Sequence, residues 1–206
     1  MTIAQDERAA LAHTLRSVGP DAPTLCDGWT ARDLTAHLIV RESRLDASPG
    51  ILIPAFAGRT EKIQNDVARG DWDEMVTKFA AGPPLLSPFK LIDRFVNVTE
   101  MFVHHEDVRR GGGEWTPRTL DAASSKAILG PLKMMGKRAI AKSPATVELV
   151  TTEGEQVAVG GRGPVVRVTG EPLELLLFAF GRSETALEFV GDQDAVAAVK
   201  AAKRGF

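Results

Sequence analysis

Residues 91–110 read LIDRFVNVTEMFVHHEDVRR, and this stretch decides the fold. Leu91, Phe95, Val98, Phe102 and Val103 fall around most of the girth of a helix rather than along one stripe. A helix of that kind belongs at the centre of a bundle. Gly111-Gly112-Gly113 ends it. Glu100 and His104 lie four residues apart inside it, one above the other on a single face. A carboxylate and an imidazole stacked this way can grip one metal ion. The helix is too apolar to have a wide wet face, so Glu100 is either buried or in a cleft. A buried carboxylate needs a partner or a metal.

A third ligand comes from the segment 30–46. Thr30 is a good N-cap, and Asp33 three residues on makes a weaker cousin of the capping box. Leu34, Leu38, Val40 and Leu45 give the segment helical periodicity. His37 sits mid-helix between Ala36 and Leu38. A lone histidine there is more often a satisfied core residue, but paired with Glu100 and His104 it completes a set of three. Three protein ligands with an open fourth position is the pattern of a catalytic zinc site. His105 is an adjacent alternative ligand, about 100° around the helix from His104. Asp107, three residues after His104, either fixes the tautomer of the ring or pairs with Arg109 or Arg110. His13 reads as structural or exposed. Cys26 reads as a small apolar residue of the loop before the second helix, with a nucleophilic role as the alternative.

The remaining pattern is mostly helical before residue 143. Leu11, Leu15 and Val18 mark a helix over 4–18, closed by Gly19-Pro20. Helices follow over 60–69, 71–80 with Asp71 as cap, and 119–142 with a kink or break at Gly130-Pro131. The apolar stretch 51–57 carries Pro54 and reads as irregular or as a short helix; 85–90 is a loop. These two segments line the mouth of a pocket or make a homodimer contact. After Ser143-Pro144 the character changes. Segments 146–151, 156–159 and 165–169 alternate with β-branched residues, and Glu153-Gly154 is a hairpin signal. Two helices close the chain, over 171–179 and 192–202. The expected organisation is a helical bundle over 1–143 and a small α+β unit over 144–206.

Composition excludes several classes. The chain has 206 residues, 44% hydrophobic and 25% charged, with a net charge of −2. This gives no electrostatic footprint for nucleic acid or an anionic membrane surface. No apolar run approaches the ~20 residues of a membrane span. One cysteine cannot form an intramolecular disulfide, and a cytoplasmic location is expected. There is no tyrosine, which removes phenolic acid–base chemistry. Gly111–Gly113 follows a helix, not a strand, and no Lys-Ser/Thr follows it, so it is no phosphate cradle.

Three motifs in order resemble one family. Residues 27–38, DGWTARDLTAHL, look like the "GW…DLxAHL" segment of the mycothiol-dependent maleylpyruvate isomerase family of DinB-like metal-binding bundles. Residues 100–109, EMFVHHEDVR, look like its "ExxxHxxDL" helix. Residues 170–182, GEPLELLLFAFGR, resemble its C-terminal helix ending in Gly-Arg. The resemblance implies a mainly α protein, an up-down-down-up four-helix bundle followed by a small α+β unit. It implies a divalent metal, usually zinc, on His37, Glu100 and His104. It implies mycothiol, the small thiol of actinobacteria, as co-substrate, and Arg182 as the catalytic residue that holds a small anionic substrate. One departure is His105, where the isomerases tend to carry a small residue.

The expected function is therefore a metal-dependent isomerase or S-transferase that uses a thiolate. Metal stabilises the thiolate at neutral pH, and the thiolate is the reactive form. The alternatives are a non-catalytic metal- or ligand-binding protein and a metal-dependent hydrolase.

Overall fold

The computed structural model describes residues 2–43, 57–83 and 89–204. Within these the protein is mainly helical, with a four-stranded sheet toward the C-terminus. The chain divides into two compact units, the first ending at Trp115 and the second beginning at Thr116. No helix among the described residues is long and apolar enough to cross a membrane.

The first unit holds five described helices: α1 (Ile3–Val18), α2 (Ala31–Ser43), α3 (Ala57–Ala68), α4 (Trp72–Ala81) and α5 (Phe89–Arg110). Their starts are written in side chains. Thr2 and Gln5 form a capping box at α1, and Asp71 accepts from the Glu74 amide at α4. At α2, Asp33 Oδ2 accepts from the Thr30 amide and hydroxyl at 2.9 and 2.7 Å. Such caps satisfy amides that would otherwise face no acceptor. Leu11 and Leu15 of α1, Leu34 and Leu38 of α2, Met75, Val76 and Phe79 of α4, and Met101 and Val108 of α5 meet in one core. Val18, expected on the apolar face of α1, is instead 42% exposed. It stands in the last turn, where the helix has run past the core.

Helix α5 has the girth expected of it. Every residue from 97 to 108 is buried except Glu100. It begins two residues before Leu91, so Phe89 and Lys90 are helical rather than loop. Ala57 and Gly58 likewise open α3. The readings of 51–56 and 85–88, and of the end of the second helix at 44–46, lie outside the described residues.

The second unit contains α6 (Ala122–Ala139), β1 (Thr146–Thr151), β2 (Gln156–Gly160), β3 (Val165–Gly170), α7 (Pro172–Ala179), β4 (Glu188–Gly191) and α8 (Gln193–Ala201). The sheet order is β2-β1-β3-β4. β1 is antiparallel to β2 and parallel to β3, and β3 is antiparallel to β4. The alternation read in the sequence is visible as burial: Val147 and Leu149 on β1, and Val166 and Val168 on β3, point into the core.

Helix α6 differs from expectation in one respect: it runs through Pro131 as a single helix. It packs on β2 and α7 within the second unit. The helix–sheet packing is close. A Cβ at Gly136 would stand 3.0 Å from the Ala158 Cβ, and one at Gly160 would stand 2.8 Å from Ile140. β4 was not anticipated at all. It is four residues long, mostly exposed, and lies at a sheet edge.

Candidate metal centre

Three elements of the first unit build the site. α5 carries Glu100 and His104 on one face. α2 brings His37. The loop 22–30 brings Cys26 and Trp29. That loop is held to the end of α5 by the Leu25 amide, which donates to Asp107 O at 3.0 Å, and it is closed on itself by a bridge between Pro23 and Thr30. Gly111 lets the loop approach, since a Cβ there would lie 2.2 Å from Pro23 O.

The ligand atoms of His37, Glu100 and His104 all lie within 4.8 Å of one another. His104 Nε2 is 3.3 Å from Glu100 Oε2. The rings of His37 and His104 meet edge-on with centroids 5.8 Å apart. Donors about 2.1 Å from a tetrahedral cation stand about 3.4 Å from each other, so the set needs only a small contraction to close on an ion. Two imidazoles and one carboxylate are the donor chemistry of zinc and its neighbours.

Asp107 completes the arrangement from behind. Its Oδ2 lies 2.9 Å from His104 Nδ1, and the residue is fully buried. A proton kept on Nδ1 by this carboxylate leaves the Nε2 lone pair facing Glu100 and His37. Arg109 and Arg110, its alternative partners, turn to Glu106. The Cys26 thiol also donates to Asp107 Oδ2, at 3.2 Å. Cys26, His104 and Asp107 thus form a second close group around the other ring nitrogen. The position of Cys26 beside the centre could not be read from its place in a loop.

The charges are set by these contacts. Burial, reinforced by His104, pushes the His37 imidazole down to about 4, so it is neutral and its lone pair is free at pH 7. Burial opposes the charge on Glu100, but the hydrogen bond and charge of His104, with Arg41, outweigh it and hold the carboxyl at about 2. Burial likewise opposes charge on His104. Hydrogen bonds to Asp107, Cys26 and Glu100 outweigh it and hold the ring well above its ordinary value. The His104 ring therefore lies between two carboxylates, Glu100 at Nε2 and Asp107 at Nδ1.

His105 does not compete for this position. It turns to α1, with Nδ1 2.6 Å from Glu7 Oε1 and Nε2 2.9 Å from Thr14 Oγ1. His13 is exposed. Arg182 stands in the second unit just after α7, its Nη1 donating to Phe180 O at 2.7 Å.

Two residues missed in the sequence stand against the ligands. Arg41 Nε is 3.6 Å from Glu100 Oε2, and Arg41 Nη1 donates to Asn97 Oδ1 at 3.1 Å. The signal was present: Arg41 is four residues after His37, and Asn97 three before Glu100, so each shares a helix face with a ligand.

Residues 2–109 match the family model described as the mycothiol maleylpyruvate isomerase N-terminal domain. The chain belongs to this family. The match ends within α5, so it takes in all three donors of the centre. The crystal structure of the mycothiol-dependent maleylpyruvate isomerase is similar in fold, with a TM-score of 0.60 and 13% sequence identity over 91% of this chain and 90% of that one. The fold of the family member therefore extends through both units described here. No curated protein sequence matches the chain.

Proposed function

We propose that the protein is a metal-dependent enzyme of the mycothiol-dependent isomerase or S-transferase type. The observation that carries this reading is the convergence of His37, Glu100 and His104, with Asp107 behind His104, in a chain of the maleylpyruvate isomerase family. The same reading takes the first unit as a DinB-like four-helix bundle, with α1, α2 and α5 among its helices.

A divalent metal, most simply zinc, would supply the positive charge that keeps a thiol ionised at neutral pH. His37 offers a neutral imidazole and Glu100 an ionised carboxylate. His104 would offer its Nε2, with Asp107 holding the ring in place through Nδ1. The reaction class is reversible addition of the thiolate to an activated alkene. One carbon–sulfur bond forms, the former double bond rotates, and the thiolate leaves again. Transfer of the thiolate to an electrophile that keeps it is the S-transferase variant. Arg182 is assigned, on the resemblance, to the anionic group of the substrate.

Elemental analysis of purified protein tests the metal: one zinc per chain in the wild type, lost in His37→Ala and Glu100→Gln. Turnover of an activated cis-alkene acid that requires mycothiol tests the chemistry. A zinc-free wild type would sink the proposal. Turnover independent of any thiol would move it to the hydrolase class, where water is the nucleophile.

A further inference from the structure

Arg41 lies one turn beyond His37 on α2 and Asn97 about one turn before Glu100 on α5, and the two meet in a polar layer beside the ligands. Asn97 is 2% exposed and Arg41 8%. The Asn97 Oδ1 faces the Arg41 guanidinium, which has donors only. The amide orientation is therefore fixed, with its NH₂ left outside this contact. That Nδ2 is buried and meets no acceptor among the described residues. Native structures rarely leave such a donor without reason. Arg41 is the second unspent group. Among the described residues the carboxylate it meets is Glu100, at 3.6 Å, beyond hydrogen-bond length. A metal on Glu100 would draw that charge away and leave the buried guanidinium, among the described residues, with no other carboxylate in contact.

We propose that Arg41 and Asn97 receive a carboxylate of the ligand handled at the His37–Glu100–His104 centre. This rests on the metal-dependent reading given above and adds two residues to it. A guanidinium and an amide NH₂ are complementary to the two oxygens of a carboxylate. One helical turn is about 5.4 Å, which matches a short acid whose carboxylate lies a few bonds from its reacting carbon. Arg41 and Asn97 are thus residues that select and position the substrate, separate from Arg182.

The test is calorimetric titration of the zinc-loaded protein with succinate and with its neutral analogue succinamide. Zinc content and melting temperature are recorded for every variant. Succinate is expected to bind and succinamide not. Arg41→Gln should weaken succinate binding by more than tenfold, Arg41→Lys by less, and Asn97→Leu by several-fold, all with zinc retained. Asn97→Asp, which sets a negative charge in the layer, should abolish it. Wild-type succinate affinity in zinc-loaded Arg41→Gln and Asn97→Leu would overturn the inference and leave the metal reading intact. So would a wild type that binds zinc but no succinate, or loss of succinate binding in Arg182→Gln alone. A wild type without zinc would overturn both.

Discussion

Asp107 and His104 are bonded at 2.9 Å through Nδ1 of the ring, and this single contact aims the opposite nitrogen at Glu100, 3.3 Å away. A neighbouring pair of histidines thereby takes two different jobs. His104 is turned to α2 by Asp107, and His105 is turned to α1 by Glu7 and Thr14.

The carboxylate behind His104 should matter to the metal without touching it. Asp107→Asn is expected to lower zinc affinity by roughly 10–100-fold, the usual cost of losing such a partner, while far-ultraviolet dichroism stays unchanged. Competition against a chromophoric chelator measures it. Unaltered affinity would remove Asp107 from the centre.

Metal binding should release a proton and strengthen as pH rises. His104 is held well above its ordinary value, so near neutral pH the metal must displace its proton. While that ring stays protonated, apparent affinity should rise by up to about tenfold per pH unit. Titration in buffers of different ionisation enthalpy reads the proton directly. In the metal-free protein the raised His104 stabilises the fold at pH below about 6.5, an effect lost as pH climbs through its folded value. Glu100, held at about 2, stabilises above the ordinary carboxylate range and ceases to as pH falls toward 2.

His105→Ala should damage the fold and spare the metal. It leaves the buried Glu7 carboxylate without its ring partner, which costs on the order of 1–3 kcal/mol or more. The melting temperature should drop by several degrees while zinc stoichiometry is unchanged. Loss of zinc with no change in melting would contradict the assignment.

Gly111→Ala should loosen the loop that carries Cys26. The added Cβ would meet the Pro23 carbonyl oxygen at 2.2 Å, a backbone atom that cannot rotate aside. Overpacking of this kind costs roughly 1–3 kcal/mol. Cys26 should then react faster with a thiol reagent than in the wild type, where it is half-buried against Asp107. Equal rates would show that the glycine is not what seats the loop.

Periodicity and caps carried most of the helices, because a helix face and a capped amide are local matters. The pairing of Glu100 with His104 was legible for the same reason: a spacing of four on one helix is geometry that no tertiary contact alters. Asn97 and Arg41 obey that rule too, but their worth depends on being buried and facing each other, which no spacing declares. β4 escaped because a short exposed edge strand has no apolar alternation to read.

By itself the sequence determined that a girth-apolar helix over 91–110 carries a carboxylate and an imidazole on one face, and that alternating segments after residue 143 make a sheet. Both follow from fixed helical and strand periods. Only the tertiary structure decided that α6 packs on that sheet, that His37 meets the pair, and which way each of His104 and His105 turns. An amphipathic pattern says that a face is buried but not against what, and two adjacent rings on one helix are told apart only by the partners that surround them.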